Sequence, residues 1–223
     1  MFGFLRGLFP PPPSARIETE RLVLRPPRLS DWAEWASIRE RSRGFLTPWE
    51  PTWPKDALTR AAYRERVLYY AQEWHRGSGY LFFLIRKEDR RLLGGISVAE
   101  VRRGISQTAT AGYWIGEPYA GQGYMAEALQ AMIGFAFGTL GLHRLEAACM
   151  PSNDRSRNLL LKCGFREEGY AAKYLKINGE WADHVLFARL ADNTQAWPAA
   201  PEASNRMSTP ILASARSHFV SKS

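Results

Sequence analysis

Cysteine is nearly absent from this chain. Only Cys149 and Cys163 occur among its 223 residues, and their spacing matches neither a CxxC redox motif nor a zinc-binding pattern. The histidines do not cluster along the chain either, so we expect no metal site. We predict that both cysteines are reduced, buried thiols and that the protein is cytoplasmic.

Long apolar runs are missing as well. No stretch approaches the roughly 20 apolar residues of a membrane-spanning helix, so we predict no membrane span. Residues 1–9 are mostly apolar, but Arg6 interrupts them and no small-residue cleavage site follows, which is not the pattern of a secretory signal. Prolines 10–13 then form a stiff spacer. We predict an apolar, proline-rich arm over residues 1–14.

Dense blocks of one charge are lacking too. The formal net charge is +8 and the sequence pI is about 9.7, yet the Lys and Arg residues are scattered along the chain. A positive balance attracts acidic partners such as phosphorylated cofactors or ribosomes. Scattered charge is more typical of an ordinary basic surface, so we expect no specific nucleic-acid motif.

The hydrophobic pattern predicts one domain over residues 15–190. It alternates between strand-like and helix-like periods, which predicts an α/β fold with a mixed sheet and helices on its faces. Residues 191–223 are rich in Pro, Ala, Ser and Thr without periodicity, which predicts a disordered tail. The predicted strands span 21–25, 80–87, 92–101, 108–115, 143–150, 165–177 and 180–190, and the main helices span 31–41, 58–74, 124–140 and 153–164.

Two local signals mark element ends. Asp31 and Glu34 have the spacing of a capping box at the start of the first helix. Asn178-Gly179 between two strand patterns predicts a tight hairpin turn.

The stretch 113–128 carries the clearest functional signal. It predicts a strand that enters a short loop with Gly121 and Gly123 and then opens directly into a helix. The first N–H groups of a helix have no intrahelical acceptor, and they form a favourable seat for a phosphate group. Two glycines before a helix also occur in ordinary loops, so the neighbouring motifs must decide whether this loop binds a phosphate.

Residues 43–55 are unusually aromatic for a loop. Phe45, Trp49 and Trp53 lie among three prolines, whereas exposed loops are normally polar. Such a segment either packs as a cap on the core or lines a substrate groove.

Several further motifs together resemble the Gcn5-related N-acetyltransferase (GNAT) superfamily and, more narrowly, the bacterial Rim-type ribosomal-protein alanine N-acetyltransferases. The resemblance covers residues 15–190. The superfamily motifs are Tyr113-Trp114-Ile115-Gly116, Gly121-Gln122-Gly123-Tyr124, Asn153-x-x-Ser156 and Lys162-Cys163-Gly164-Phe165. The narrower motifs are Met150-Pro151-Ser152-Asn153-Asp154-Arg155-Ser156, Gly169-Tyr170-Ala171, Tyr174-Leu175, Asn178-Gly179-Glu180-Trp181 and Asp183-His184-Val185-Leu186.

The resemblance implies an acetyl-CoA-dependent enzyme with a mixed, mostly antiparallel sheet. Two neighbouring strands, 108–115 and 143–150, are expected to splay apart and to receive the pantetheine. Ala120 and Met125 depart from the residues that are usual in this loop, so we expect a grip that is almost wholly through the backbone. The implied cofactor-binding residues are Ile115, Gly121, Gln122, Gly123, Tyr124, Met125, Asn153 and Ser156.

Acetyl transfer to an amine needs a proton for the leaving thiolate and a neutral amine. The resemblance favours Ser156 as the proton donor, although Asn153 and Ser156 are also ordinary residues for a helix start. Some Rim-type relatives carry a Glu where this chain has Thr110, so Glu100 and Glu50 remain the candidates for a general base. Either could instead bind the incoming ammonium, or be an ordinary surface carboxylate.

The acceptor favoured by the resemblance is a protein N-terminus, such as that of a ribosomal protein, with a ribosome or an assembly intermediate as partner. An α-amine titrates near ~7.7 to 8.0 and a lysine near ~10.4, so an N-terminal acceptor needs only a weak base. The alternatives are a small amine, such as a polyamine or aminoglycoside, and a non-catalytic module that binds acetyl-CoA or a ribosome. The candidate acceptor-binding residues are Trp49, Glu50, Tyr174 and His184.

Overall fold

The computed structural model describes residues 15–191. The predicted arm, residues 1–14, and the predicted tail beyond Ala191 lie outside the described residues. The described part forms one mixed sheet with helices on both faces, which confirms the predicted fold class.

Eight strands form the sheet, and their bounds agree with the prediction to within one or two residues, except that the first strand was not predicted. The sheet order is β1-β2-β3-β4-β5-β6-β8-β7. The strands are β1 (Ile17–Glu18), β2 (Leu22–Arg25), β3 (Tyr80–Arg86), β4 (Leu92–Arg102), β5 (Thr108–Ile115), β6 (Arg144–Cys149), β7 (Arg166–Ile177) and β8 (Glu180–Leu190).

The helices lie between these strands. A 3-10 turn (Leu29–Asp31) precedes the first helix, a second one (Thr47–Trp49) follows the second helix, and a π-turn (Phe135–Thr139) extends the fourth. The helices are α1 (Trp32–Arg41), α2 (Arg43–Leu46), α3 (Arg60–Arg76), α4 (Tyr124–Gly134) and α5 (Asp154–Lys162).

Two hydrophobic clusters hold the helices against the sheet. On one face α4 and α5 bury Leu129 and Leu160 in the larger cluster. On the other face α1 and α3 bury Trp35, Ile38 and Tyr63 against β3 and β4. Both cysteines are buried and free, as predicted. This packing fixes the sheet between two helical layers. The candidate active site lies where two strands of the sheet separate.

The opening lies between β5 and β6, which are the one parallel pair in the described sheet. They pair at three positions, from Thr108 with Arg144 to Thr110 with Glu146. Beyond Thr110, β5 stays paired with β4 as far as Ile115, and β6 stays paired with β8 as far as Cys149. Their facing edges therefore separate, as predicted, and the backbone of residues 111–115 has no strand partner on that side. We call this gap the splay.

The first helix start differs from the prediction. The Asp31 side chain does not cap α1, because it accepts hydrogen bonds from the Arg25 guanidinium and from the backbone N–H of Arg28. Glu34 accepts a hydrogen bond from the backbone N–H of Leu92 on β4. The predicted capping box is therefore wrong, since both carboxylates have partners in other elements.

The predicted hairpin turn is present between β7 and β8. Asn178 and Gly179 have φ values of 45° and 91°, which are the left-handed conformations that an Asn-Gly hairpin turn requires. The backbone N–H of Asn178 also donates to the Glu50 carbonyl at 2.9 Å. The turn is thereby joined to the aromatic segment 43–55.

Candidate active site

A cleft of about 1120 Å³ opens at the splay. Its walls are the diverging ends of β5 and β6, the loop before α4, the start of α5 and the segment from Gly44 to Glu50. The aromatic segment therefore lines a groove and is not only a cap on the core. The predicted site residues that line this cleft are Trp49, Glu50, Ile115, Gly121, Gly123, Tyr124, Met125, Asn153, Ser156 and His184.

The loop before α4 has the geometry of an anion seat. Gly121 and Gly123 have φ values of +76° and +83°, which side chains other than glycine rarely adopt. Gly123 is the N-cap of α4, so the N–H groups of the first helical turn have no acceptor within the helix. Met125 lines the cleft, but its side chain packs in the main hydrophobic cluster, and a thioether offers an anion no hydrogen-bond donor. These features fit a pyrophosphate held through the backbone.

Arg21, which the sequence analysis did not single out, lies just before β2 and holds this loop in place. Its Nη1 donates to the Gln122 carbonyl at 3.0 Å, and its Nε donates to Glu127 at 2.7 Å. Its guanidinium also lies 4.4 Å from the centre of the Tyr124 ring. Because the Gln122 carbonyl is bonded to Arg21, the peptide plane of that residue is fixed. No sequence motif marks this contact, which joins residues 101 positions apart.

Ser156 lies at the start of α5 with its hydroxyl at the splay. Asn153 caps the helix, because its side-chain oxygen accepts from the Ser156 N–H at 3.1 Å. The Ser156 Oγ is 2.7 Å from the hydroxyl of Tyr113 on β5. Burial raises the pKa of Tyr113 well above its usual value, although the hydrogen bond with Ser156 acts in the opposite direction. The motif containing Tyr113 was recognised in the sequence, but this contact was not.

Glu50 lies in the segment that borders the cleft, and its carboxylate is held firmly. Both oxygens accept from Arg39, at 3.0 and 2.5 Å, and Oε2 also accepts from the Trp53 indole at 2.8 Å. A carboxylate has about four lone-pair positions, so there is room for one further donor. The Arg39 guanidinium is stacked near Trp53 and Trp114, 4.3 and 4.9 Å from the ring centres.

The other predicted acceptor residues lie on the β7–β8 hairpin. His184 is buried and lines the cleft, while Tyr174 is half exposed and contacts the His184 ring edge-on at 5.8 Å between centres. Asp183 is directed elsewhere, since it accepts from the Tyr170 hydroxyl and the Lys173 N–H. Of the hairpin residues predicted to bind the acceptor, His184 is thus the one that lines the cleft.

Three predicted residues do not line the cleft, namely Tyr174, Glu100 and Gln122. Glu100 lies at a β-bulge of β4 with a φ of 53°. Its exposed carboxylate is 3.4 Å from the Thr110 hydroxyl and 3.7 Å from Arg102. The Gln122 side chain bonds to the Pro118 carbonyl at 2.8 Å. Of the two carboxylates considered as a base, only Glu50 borders the cleft.

Comparison with known proteins agrees with this geometry. Residues 21–166 match the acetyltransferase (GNAT) domain family, and the chain belongs to this family. It is an acetyl-CoA-dependent N-acetyltransferase, and acetyl-CoA is its acyl donor.

Its relatives include enzymes that modify ribosomal proteins. The chain is 37% identical over 189 residues to the ribosomal protein uS5-alanine N-acetyltransferase of Escherichia coli, covering 84% of this chain and 95% of that protein. The structure of ribosomal-protein-S5-alanine acetyltransferase from Vibrio fischeri matches with a TM-score of 0.75 at 30% identity, covering 82% of this chain and all of the other. RimJ of Mycobacterium smegmatis in complex with CoA-disulfide matches with a TM-score of 0.73 at 32% identity, covering 77% and 82% of the two chains.

Residues 15–191 contain neither a candidate membrane span nor a candidate metal cluster. No helix in this part of the chain is long and apolar enough to cross a membrane. Within the same residues, no group of three or more His, Cys, Asp or Glu side chains is placed to hold a metal ion.

Proposed function

We propose that this enzyme acetylates the N-terminal α-amine of a ribosomal protein whose first residue is alanine. The observation that carries the proposal is the fixed carboxylate of Glu50, which borders an open cleft and has room for one more hydrogen-bond donor. An α-ammonium group is such a donor. The similarity to alanine N-acetyltransferases of ribosomal proteins supports a protein acceptor, and we place the reaction in the cytoplasm, where ribosomal proteins are made.

Acetyl-CoA binds along the splay in this proposal. The N–H groups of Gly121 to Met125 hold the pyrophosphate, because the positive end of the α4 dipole favours an anion. The unpaired edge of β5 as far as Ile115 hydrogen-bonds the pantetheine amides as a further strand would. Asn153 holds the start of α5, so that Ser156 lies beside the sulfur.

The acceptor lies between the aromatic segment and the β7–β8 hairpin. Glu50 binds the ammonium, while Trp49, His184 and Tyr174 line its surroundings. An α-amine with a pKa of about 7.7 to 8.0 is roughly 10 to 20% neutral at pH 7. The enzyme therefore needs only to select the neutral amine, and Glu50 can bind and orient it without a strong base at Thr110 or Glu100.

The chemical step then replaces the C–S bond with a C–N bond. The amine nitrogen attacks the thioester carbonyl carbon, and the C–S bond breaks with its electron pair on sulfur. The proton lost by the nitrogen ends on sulfur, whose developing charge is stabilised meanwhile by a hydrogen bond from the Ser156 hydroxyl. A thiol titrates near ~8.5, so one well-placed hydrogen bond is sufficient help for this leaving group.

The proposal is tested with synthetic peptides and acetyl-CoA, with product mass measured by mass spectrometry. We expect turnover with peptides that begin with Ala, weaker turnover with Ser, and none with the same peptides already acetylated. Polyamines and aminoglycosides serve as competing acceptors, and a preference for them would replace the proposal with small-amine acetylation.

A second measurement addresses the partner in cells. N-terminal acetylation of ribosomal proteins is compared between cells with and without the gene for this chain. Loss of acetylation on one ribosomal protein is the expected result. Unchanged acetylation of all of them, together with co-sedimentation of the protein with ribosomes, would favour a ribosome-binding role.

A further inference from the structure

Tyr113 and Ser156 meet across the splay, from two elements that are otherwise separate. Tyr113 belongs to β5, Ser156 to the first turn of α5, and their hydroxyl oxygens are 2.7 Å apart. The Tyr113 side chain is half-buried against the main hydrophobic cluster, and both residues line the cleft. In the proposed function, this contact lies beside the sulfur of bound acetyl-CoA.

A serine hydroxyl has one hydrogen and two lone pairs. If Ser156 donated its hydrogen to Tyr113, it would have none for the sulfur. If Tyr113 is the donor, the Ser156 hydrogen remains available for the cleft. Asn153 holds only the backbone of Ser156. The Ser156 hydroxyl meets two side chains, the Tyr113 phenol at 2.7 Å and the Cys149 thiol. Because a thiol is a weak donor and a weak acceptor, the tyrosine is the partner that sets the direction of the hydroxyl.

The chemistry of the two hydroxyls favours the second arrangement. Burial is the main reason that the pKa of Tyr113 lies well above the usual tyrosine value, so both hydroxyls keep their hydrogens under all working conditions and protonation alone does not choose the donor. A phenol is still a more acidic hydroxyl than an alcohol, so the phenol is the better donor and the serine oxygen is the better acceptor. A hydrogen bond received by an oxygen also makes the hydrogen on that oxygen a better donor, since chains of hydrogen bonds polarise one another.

We propose that Tyr113 is a positioning residue for acetyl transfer: it donates to Ser156 Oγ and thereby directs the Ser156 hydrogen at the sulfur of the leaving thiolate. The proposal rests on the role of Ser156 in the proposed function, but it does not depend on which amine accepts the acetyl group. No proton leaves Tyr113 in the net reaction. The C–S electron pair goes to sulfur, the amine supplies the proton that sulfur finally carries, and Tyr113 only keeps the serine in its donor orientation.

The test is a double-mutant cycle with Tyr113→Phe, Ser156→Ala and both together. Phenylalanine keeps the ring in the core and removes the donor. We expect Tyr113→Phe to lower kcat about tenfold, with unchanged affinity for CoA by calorimetry. We expect no further loss when Tyr113→Phe is added to Ser156→Ala, because residues that act through one another are not additive.

The matched control is Tyr63→Phe. Tyr63 is a fully buried tyrosine whose hydroxyl donates to the Arg28 carbonyl, away from the cleft. Its substitution removes a buried hydroxyl at the same structural cost and is expected to leave kcat within about twofold. Replacing Tyr113 with 3-fluorotyrosine, which retains both shape and donor, should restore kcat.

Three outcomes would overturn the proposal. They are an unchanged kcat in Tyr113→Phe, an independent loss in the Ser156→Ala background, and a loss of CoA affinity that accounts for the whole effect. If wild-type enzyme acetylates no peptide, the acceptor proposal fails separately. The cycle is then measured on acetyl transfer to small amines and on hydrolysis of acetyl-CoA, in which the same sulfur leaves.

Discussion

The guanidinium of Arg39 holds both carboxylate oxygens of Glu50, with nitrogen–oxygen distances of 3.0 and 2.5 Å. The pair is mostly buried, with 12% of the Arg39 side chain and 21% of the Glu50 side chain exposed. Arg39 also stacks near the rings of Trp53 and Trp114. This arrangement fixes the position of the carboxylate at the border of the cleft, where we propose that the acceptor binds.

Substitution of Glu50 tests that role. Glu50→Gln keeps the shape and removes the charge that we propose binds the ammonium. We expect the KM for an N-terminal peptide to rise about tenfold, which corresponds to ~1.4 kcal/mol, while the Kd for CoA stays the same. The matched control is Glu40→Gln, because Glu40 also pairs with an arginine but is exposed. An unchanged peptide KM in Glu50→Gln would remove the carboxylate from the acceptor site.

Ser156→Ala tests the leaving-group role. Alanine removes the hydroxyl but leaves the helix start intact, since Asn153 bonds to the backbone N–H of this residue. We expect kcat to fall about a hundredfold, the lower end of what a positioned proton donor supplies, with little change in CoA affinity. Ser106→Ala, at an exposed turn, is the control. Equal kcat in Ser156→Ala and wild type would show that Ser156 does not assist the leaving thiolate.

The loop before α4 is tested at Gly123. Gly123→Glu places bulk and negative charge at the proposed pyrophosphate seat and forces a side chain into a φ of +83°. We expect no measurable binding of acetyl-CoA by calorimetry. Gly123→Ala separates strain from charge, and it should bind more weakly than wild type but still measurably.

Gly104→Glu is the control for that experiment, because a Cβ at Gly104 meets nothing within 4 Å and its φ is ordinary. It should bind acetyl-CoA as wild type does. Normal affinity in Gly123→Glu would show that the pyrophosphate binds elsewhere.

The network beneath this loop predicts a pH dependence of stability. Burial of Glu127 alone would raise the pKa of its carboxyl, but hydrogen bonds from Thr19 and Arg21 outweigh it, and the net pKa lies below the ordinary value of 4.5. A depressed folded-state pKa contributes stability that is present above the unfolded-state pKa and is lost as pH falls through the folded value.

Thermal unfolding between pH 7 and pH 3 measures this contribution. We expect the Tm of wild type to fall faster below about pH 4.5 than that of Glu127→Gln, which has no carboxyl to protonate at this position. Parallel Tm curves for the two proteins would show that the Arg21–Glu127 contact contributes nothing through this carboxyl.

Much of the fold was predictable because its signals are local. Asn178-Gly179 predicted the hairpin turn, and the glycines at 121 and 123 predicted the loop that opens into α4, because each depends on backbone conformations that few residues adopt. The prediction of a capping box at Asp31 and Glu34 was wrong because the partners of these two side chains are not local in the sequence. Its spacing was suitable, but tertiary partners, the Arg25 guanidinium and the Leu92 N–H, engaged both carboxylates.

The sequence by itself determined the order of the elements, the loop before α4 and the membership of a family, since these follow from periodicity, glycine positions and ordered motifs. Only the tertiary structure decided which residues meet. Arg21 with Gln122, Arg39 with Glu50 and Tyr113 with Ser156 come from different elements, the first pair 101 and the last 43 positions apart. Such contacts depend on how the sheet splays and how the helices pack, and neither propensity nor spacing encodes them.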